Sequence, residues 1–392
     1  MLRPDGGVPK TLIGVLAVMA GISVANIYYC QPLLGMICEE TGLSEFKVNL
    51  MPVFTQVGYA LGLLFIIPLG DMLSRRRTVL ASFSAAAAAL LVIYFSRSVV
   101  MLLLASFVTG FASVSPQVFI PFVSLYSRPA EKEKNAGIVL SGLLVGILAS
   151  RVLSGYVGHL LGWRAMFVIA AGIMAVSSAV IFRLFPEVEP THKGSFAALM
   201  GSIFTLARKH PRSIIYATRS AMAFGSFLGL WACLAFRMAQ EPYFMGSDAV
   251  GLLALCGIAG AVTASSLGKY IPRLGTETVN ALGIVLMAAA WALFALFGGH
   301  MAGMVAGIII IDIGMQCIQL SNQSATMRLC PEATSRMNTI YMVTYFVGGS
   351  LGTFLAGTAW SLWAWPGTIA AGVAMIAAAA LISVAGRAHA AR

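Results

Sequence analysis

Of the 392 residues in this chain, 59% are hydrophobic and 10% charged, and the mean hydropathy is +0.88. That is more apolar surface than a soluble core can bury, so the composition excludes a soluble enzyme or binding module and places the chain in lipid. The formal charge of +11 takes its meaning from where the basic residues fall.

A spanning helix needs about 20 apolar residues. Twelve stretches qualify in order: 11–37, 46–70, 78–95, 99–126, 136–161, 165–185, 213–236, 248–268, 278–297, 301–327, 337–362 and 367–386. The first, preceded by Arg3 and Lys10, is too long for a signal peptide and has no small-residue cleavage site, so it reads as a span. With both termini on the cytoplasmic side, nineteen of the 25 Lys and Arg lie in cytoplasmic segments and four on the opposite face. That bias sets orientation in the membrane, and no nucleic-acid partner is expected. The six cysteines show no metal-type spacing, and no metal, disulfide or cofactor is expected.

A polar interruption divides the chain into 1–186, a linker 187–212 and 213–392. Within the linker Phe196, Leu199, Met200, Ile203 and Leu206 recur at helical spacing before Arg208, Lys209 and Arg212, which predicts an amphipathic helix at the membrane surface. The halves repeat one another. An offset of 198 aligns PLGDMLSRRRT with SLGKYIPRLGT and Gly62 with Gly260; an offset of 202 aligns Gln117 with Gln319, Pro129 with Pro331, Gly146 with Gly348 and Gly155 with Gly357. Two parallel six-helix bundles follow, an arrangement in which the substrate site lies at the repeat interface near mid-membrane. The third span of each triplet is almost wholly apolar and is expected to face lipid.

The tenth span, IIIIDIGMQCIQLSNQSATMRLC, sets Asp312, Gln316, Gln319 and Gln323 on one helix face. Asp312 falls near mid-membrane, where a carboxylate is paired, hydrated or protonated, and desolvation favours the protonated form that a proton carrier uses. The competing reading is a structural aspartate bonded to a neighbouring helix. Arg151 is the other deep charge, and Asp312 is its candidate partner. Asn26, Tyr29 and Gln31 ahead of Pro32, Gln117 between Pro116 and Pro121, Trp231, and Asn338, Tyr341 and Tyr345 are cavity candidates for a small organic substrate. For each of them interhelical packing is the plain alternative. Arg219, some six residues into its span, is expected to reach back to the cytoplasmic surface.

The stretch GYALGLLFIIPLGDMLSRRRT, with Asp71, Arg75 and Arg76, resembles the loop between helices 2 and 3 of the major facilitator superfamily, D-R-x-G-R-R, with Met72 and Ser74 in place of Arg and Gly. ANIYYCQPLL, the turn Gly162–Trp163–Arg164 and the segment from Asp312 to Gly352 resemble its bacterial efflux-permease branch, related to drug:proton antiporters. The resemblance implies an all-α membrane protein of twelve transmembrane helices in two pseudo-symmetric six-helix bundles, with proton-coupled efflux across the bacterial inner membrane read as its activity; the glycine- and alanine-rich helices suggest close packing and a monomer. It implies a conformational latch of Asp71, Arg75 and Arg76. The exporter pattern G-x8-G-x3-G-P-x2-G-G of helix 5 is kept at Gly137, Gly146 and Gly155 but has Arg151 where the proline belongs. Uptake by symport or facilitated diffusion is therefore the alternative. An integral-membrane enzyme or a receptor is the alternative of a different class, and the sequence has no HExxH or P-loop to support an enzyme.

Overall fold

A computed structural model describes residues 5–188 and 195–390; the side chain of Asp71, the first member of the implied latch, lies outside the described residues. Every regular element described is helical. In order they are α1 Lys10–Ala25, α2 Leu34–Thr41, α3 Glu45–Met72, α4 Arg75–Phe95, α5 Val99–Ala112, α6 Pro116–Tyr126, α7 Lys132–Leu161 and α8 Trp163–Leu184. Then come α9 Phe196–Lys209, α10 Pro211–Ala239, α11 Ser247–Leu253, α12 Ile258–Leu274, α13 Thr276–Phe297, α14 Met301–Arg328 and α15 Thr334–Ala390.

Ten helical segments among the described residues are long and apolar enough to cross a membrane. The first and last of the predicted spans explain the difference from twelve. Over 11–37 the helix is interrupted: α1 has 16 residues, the backbone turns at 26–30, and a 3-10 turn at Gln31–Leu33 precedes α2. The last segment merges the two final spans into 56 residues, with non-helical backbone at Trp363 and Ala364 just before Pro366. Proline has no N–H for the carbonyl four residues back and its ring crowds that carbonyl, so each break falls in the turn before a proline, Pro32 or Pro366. A second interruption, at 113–115, separates α5 from α6 ahead of Pro116.

The chain falls into two compact units: residues 1–30 with 54–202, and residues 31–53 with 203–392. In the first unit α1 packs on α7 through backbone. A Cβ added at Gly146 would lie 2.3 Å from the Gly21 Cα. In the second unit α10 packs on α15 the same way, a Cβ at Gly352 lying 2.2 Å from the Gly225 Cα and one at Gly225 lying 2.4 Å from the Gly348 carbonyl oxygen. Gly146 and Gly348 are the pair aligned by the internal repeat, so each unit packs one helix pair closely at corresponding glycines. Without a hydrophobic drive between helices in lipid, such close approach supplies the van der Waals contact that holds them.

Gly146→Val is expected to force these backbones apart and to lower stability by about 1–3 kcal/mol. Gly137→Ala on the same helix meets nothing within 4 Å and is expected to be neutral or slightly stabilising. Thermal unfolding of both variants in detergent checks the pair.

The second unit includes the outer start of α3. The Trp360 indole donates to Glu45 Oε2 at 2.7 Å, the Asn49 amide donates to the Thr353 carbonyl at 3.0 Å, and Phe46 meets Phe354 edge to face at 6.1 Å. From Phe54 onward the same unbroken helix belongs to the first unit. The turn from α7 to α8 uses Gly162 at φ +83°, which only glycine adopts freely. It sets Trp163 in the core and Arg164 over the Trp163 ring at 4.2 Å, donating to the Tyr94 and Ser96 carbonyls. Large apolar side chains of α4, α8, α13 and the end of α15 are exposed, among them Phe95, Val176, Leu296 and Leu381, as expected of lipid-facing helices. In α9 Ile203 is buried and Phe204 exposed.

Candidate functional site

In the second unit Asp312, Gln316, Gln319 and Gln323 follow one another along α14. Asp312 is buried at 7% exposure in the middle of a 28-residue helix. It lies against α12: a Cβ added at Gly260 would be 3.2 Å from the Asp312 Cβ and 3.3 Å from its Oδ1. Gln316 is half-buried one turn on. At the next turn the Tyr341 hydroxyl donates to the Gln319 carbonyl at 3.0 Å and the Tyr345 hydroxyl to Gln319 Oε1 at 2.9 Å. One further turn on, Gln323 Nε2 donates to Asn338 Oδ1 at 2.9 Å. Five of the predicted cavity residues, Gln319, Gln323, Asn338, Tyr341 and Tyr345, are thus joined between α14 and α15. The Tyr345 ring stacks on Phe224 of α10 at 3.8 Å, and Phe227 links that stack to the fully buried Trp231.

In the first unit the deep charge is Arg151 of α7, at 3% exposure, with its guanidinium 4.7 Å from the Tyr28 ring centroid. Tyr59 of α3 hydrogen-bonds the Gln117 side chain. Asn26 and Tyr29 are buried. Asn26 Nδ2 reaches Ser113 Oγ at 3.5 Å and Met174 Sδ at 3.3 Å, and the Ser23 hydroxyl donates to the Ser113 carbonyl at 3.0 Å. The interruptions of α1 and of α5–α6 therefore meet, and side chains satisfy backbone groups that the breaks leave open. Gln31 does not join Asn26 and Tyr29 on one helix. It sits in the 3-10 turn Gln31–Leu33, which packs on α10 and α11 in the second unit.

Of the implied latch residues, Arg76 donates to the Phe182 carbonyl and covers the Phe182 ring at 4.9 Å, so it caps the C-terminal end of α8. Arg75 is buried. Arg77 pairs with Glu187 at 3.4 Å.

Arg219 corrects the sequence reading. It does not reach the surface; it is 1% exposed and forms a bidentate pair with Glu277 of α13, at 2.9 and 2.8 Å. Its Nε donates to Asn322 Oδ1, Asn322 donates to Asn280 Oδ1 at 2.8 Å, and Asn280 donates to Ser383 Oγ at 3.1 Å. This network ties α10, α13, α14 and α15 together. Nothing local marks this network: Glu277 lies in the first turn of α13 with Asn280 one turn on, but their partners Arg219 and Asn322 lie on other helices.

Chemically, the described residues of the two units hold a buried carboxylate, a buried guanidinium, and amides and phenols. Among the described residues no group of His, Cys, Asp or Glu is placed to hold a metal ion.

A sequence profile of the Major Facilitator Superfamily matches residues 16–353. The chain is 31% identical over 374 residues to the putative uncharacterized transporter YgaY of Escherichia coli K12, covering 95% of this chain and 94% of that one. It is 35% identical over 368 residues to the probable transporter SCO4007 of Streptomyces coelicolor, covering 94% and 85%. A solved bacterial homologue of the human lysosomal transporter Spinster, inward-facing and unoccupied, shares the fold with a TM-score of 0.80 at 15% identity, over 96% of both chains. With the apolar helices, the repeated glycine packing and a profile spanning most of its length, this chain belongs to the Major Facilitator Superfamily and is a multi-pass membrane transporter.

Proposed function

We propose that this transporter moves a small organic solute out across the bacterial inner membrane by alternating access of two six-helix bundles, driven by protons entering through Asp312. The observation that carries the reading is a buried carboxylate at mid-membrane on a helix whose same face presents three glutamines. Asp312 lies eleven residues into α14, or about 16 Å at 1.5 Å per residue. Retaining an ionisable group there costs a few kcal/mol on insertion scales, and carrying protons is a function that offsets that cost. A membrane potential supplies about 2.3 kcal/mol per charge per 100 mV, so one protonatable site is enough to couple. Arg151 is the second charged element of the cycle, and the Gln319, Tyr341 and Tyr345 group of the second unit contacts the solute. A monomer suffices for this scheme.

Uptake is the second reading, favoured by one observation: Arg151 stands where the exporter pattern has its proline. Right-side-out and inverted vesicles loaded with a panel of radiolabelled organic anions, cations and neutral solutes separate the two. The proposal expects accumulation of at least one solute in inverted vesicles energised with respiratory substrate. Accumulation confined to right-side-out vesicles makes the protein an importer.

A further inference from the structure

The close approach that holds Asp312 is made twice in this chain. In the first unit, a Cβ added at Gly62 of α3 would lie 2.8 Å from the Val114 side chain and 2.4 Å from the Phe111 carbonyl oxygen. In the second, a Cβ added at Gly260 of α12 would lie 3.2 Å from the Asp312 Cβ and 3.5 Å from its carbonyl oxygen. Gly62 and Gly260 stand 198 residues apart, and so do Val114 and Asp312, the offset that aligns the two arginine-containing loops. A packing position that one half fills with valine is filled by a carboxylate in the other. The helix crossing does not require the charge; it accommodates it.

The two crossings differ in two further respects. Val114 lies in the interruption between α5 and α6, whereas Asp312 lies within the unbroken α14. In the first unit α3 is helical throughout. In the second, the span that carries Gly260 tightens into a 3-10 turn at Ala254–Gly257 between α11 and α12. That turn packs on α14 and brings the half-buried Cys256 thiol within electrostatic reach of Asp312. Short 3-10 stretches inside a helix loosen the regular backbone bonding and mark hinges or sites.

We propose that Gly260 is a positioning residue for Asp312: its missing side chain lets the carboxylate lie against the α12 backbone beside the 254–257 turn, and so sets the pH at which Asp312 takes up its proton. The inference deepens the coupling role proposed above and matters for transport only if that role holds. The groups that neighbouring elements of the second unit bring to α14 are Cys256 from the turn, which interacts electrostatically with Asp312; Arg219 of α10, which engages α14 at Asn322, ten residues on, and is itself paired with Glu277 of α13; and Tyr341 and Tyr345 of α15, which engage it at Gln319.

The test uses N-ethylmaleimide on the purified full-length protein, with mass spectrometry reading modification at Cys256 separately from the other cysteines. The logarithm of its rate rises with pH as thiolate forms, and ionisation of a neighbouring carboxylate puts a break in that line. Wild type is expected to show the break and Asp312→Asn to lose it. Gly260→Ala sets a methyl against the carboxylate, where contact at 3.2 Å needs relief of a few tenths of an ångström, and is expected to move the break up by about half a pH unit or more through desolvation. Gly260→Ser offers the carboxylate a hydroxyl donor and is expected to move the break down, since a hydrogen bond to the charged form favours it. A role in packing alone predicts two variants with lowered melting temperatures and an unmoved break, and that result overturns the proposal, as does a break that persists in Asp312→Asn. Because the assay needs no transport, failure of the coupling role appears in proton flux and not here, and the two failures remain distinct.

Discussion

Glu277→Ala is expected to be among the most damaging single changes in the second unit. The substitution leaves the Arg219 guanidinium, 1% exposed, without the carboxylate that meets two of its nitrogens. Removing one partner of a buried ion pair costs about 3–5 kcal/mol because the other charge stays behind. The Glu277 side chain is 40% exposed, so solvent reaches its side of the pair and the lower end of that range applies. Arg219→Met with Glu277→Leu removes both charges and is expected to recover most of the loss, since apolar replacement of a whole pair is often neutral. Asn322 Oδ1 then loses its Arg219 donor while Nδ2 keeps the Asn280 and Ile318 acceptors, so recovery stops short of wild type. Chemical or thermal unfolding of the two variants in detergent checks the order wild type, double variant, single variant; a single variant as stable as wild type contradicts it.

Arg151→Gln is expected to reduce transport on the order of tenfold or more, the scale that follows losing a buried charged group. Arg151→Lys keeps the charge but not the flat guanidinium that lies over Tyr28. It is expected to fall between the two, because lysine is a compact, strongly hydrated point charge and stacks poorly. If Arg151 and Asp312 serve one coupled step, combining Arg151→Gln with Asp312→Asn costs no more than either alone, whereas independent roles add. Initial rates in proteoliposomes, normalised to reconstituted protein, read the whole cycle.

Much of this was legible in the sequence because lipid makes the code simple. Apolar run length fixes the spans, and arginine and lysine placement biases orientation. A repeat at matching offsets pointed to two parallel bundles, and its aligned glycines Gly146 and Gly348 each lie at a close helix contact, with Gly21 and with Gly225. The stripe from Asp312 to Gln323 was readable from helical periodicity alone, and three of its members have the neighbours expected of one face. What was not legible depends on long-range partners. Arg219 and Glu277 are 58 residues apart, and neither position signals that the arginine turns inward instead of reaching the surface. The displacement of Gln31 from Asn26 and Tyr29 follows from the break after Ala25, which Pro32 announced only in general terms. The 3-10 turn at Ala254–Gly257 has no signature beyond Gly257 and Gly260, because a tightened turn differs from an α-turn by one hydrogen-bond register.

The central claim is that Asp312 carries the proton that drives transport. Its most direct measurement is proton movement in proteoliposomes, followed with an entrapped pH dye, when a solute identified by vesicle accumulation is added to wild type and to Asp312→Asn. The account predicts solute-induced proton flux in the wild type and its loss in the variant, which still exchanges solute for solute. Proton flux of wild-type size in Asp312→Asn, or solute movement indifferent to the pH gradient in both proteins, contradicts it.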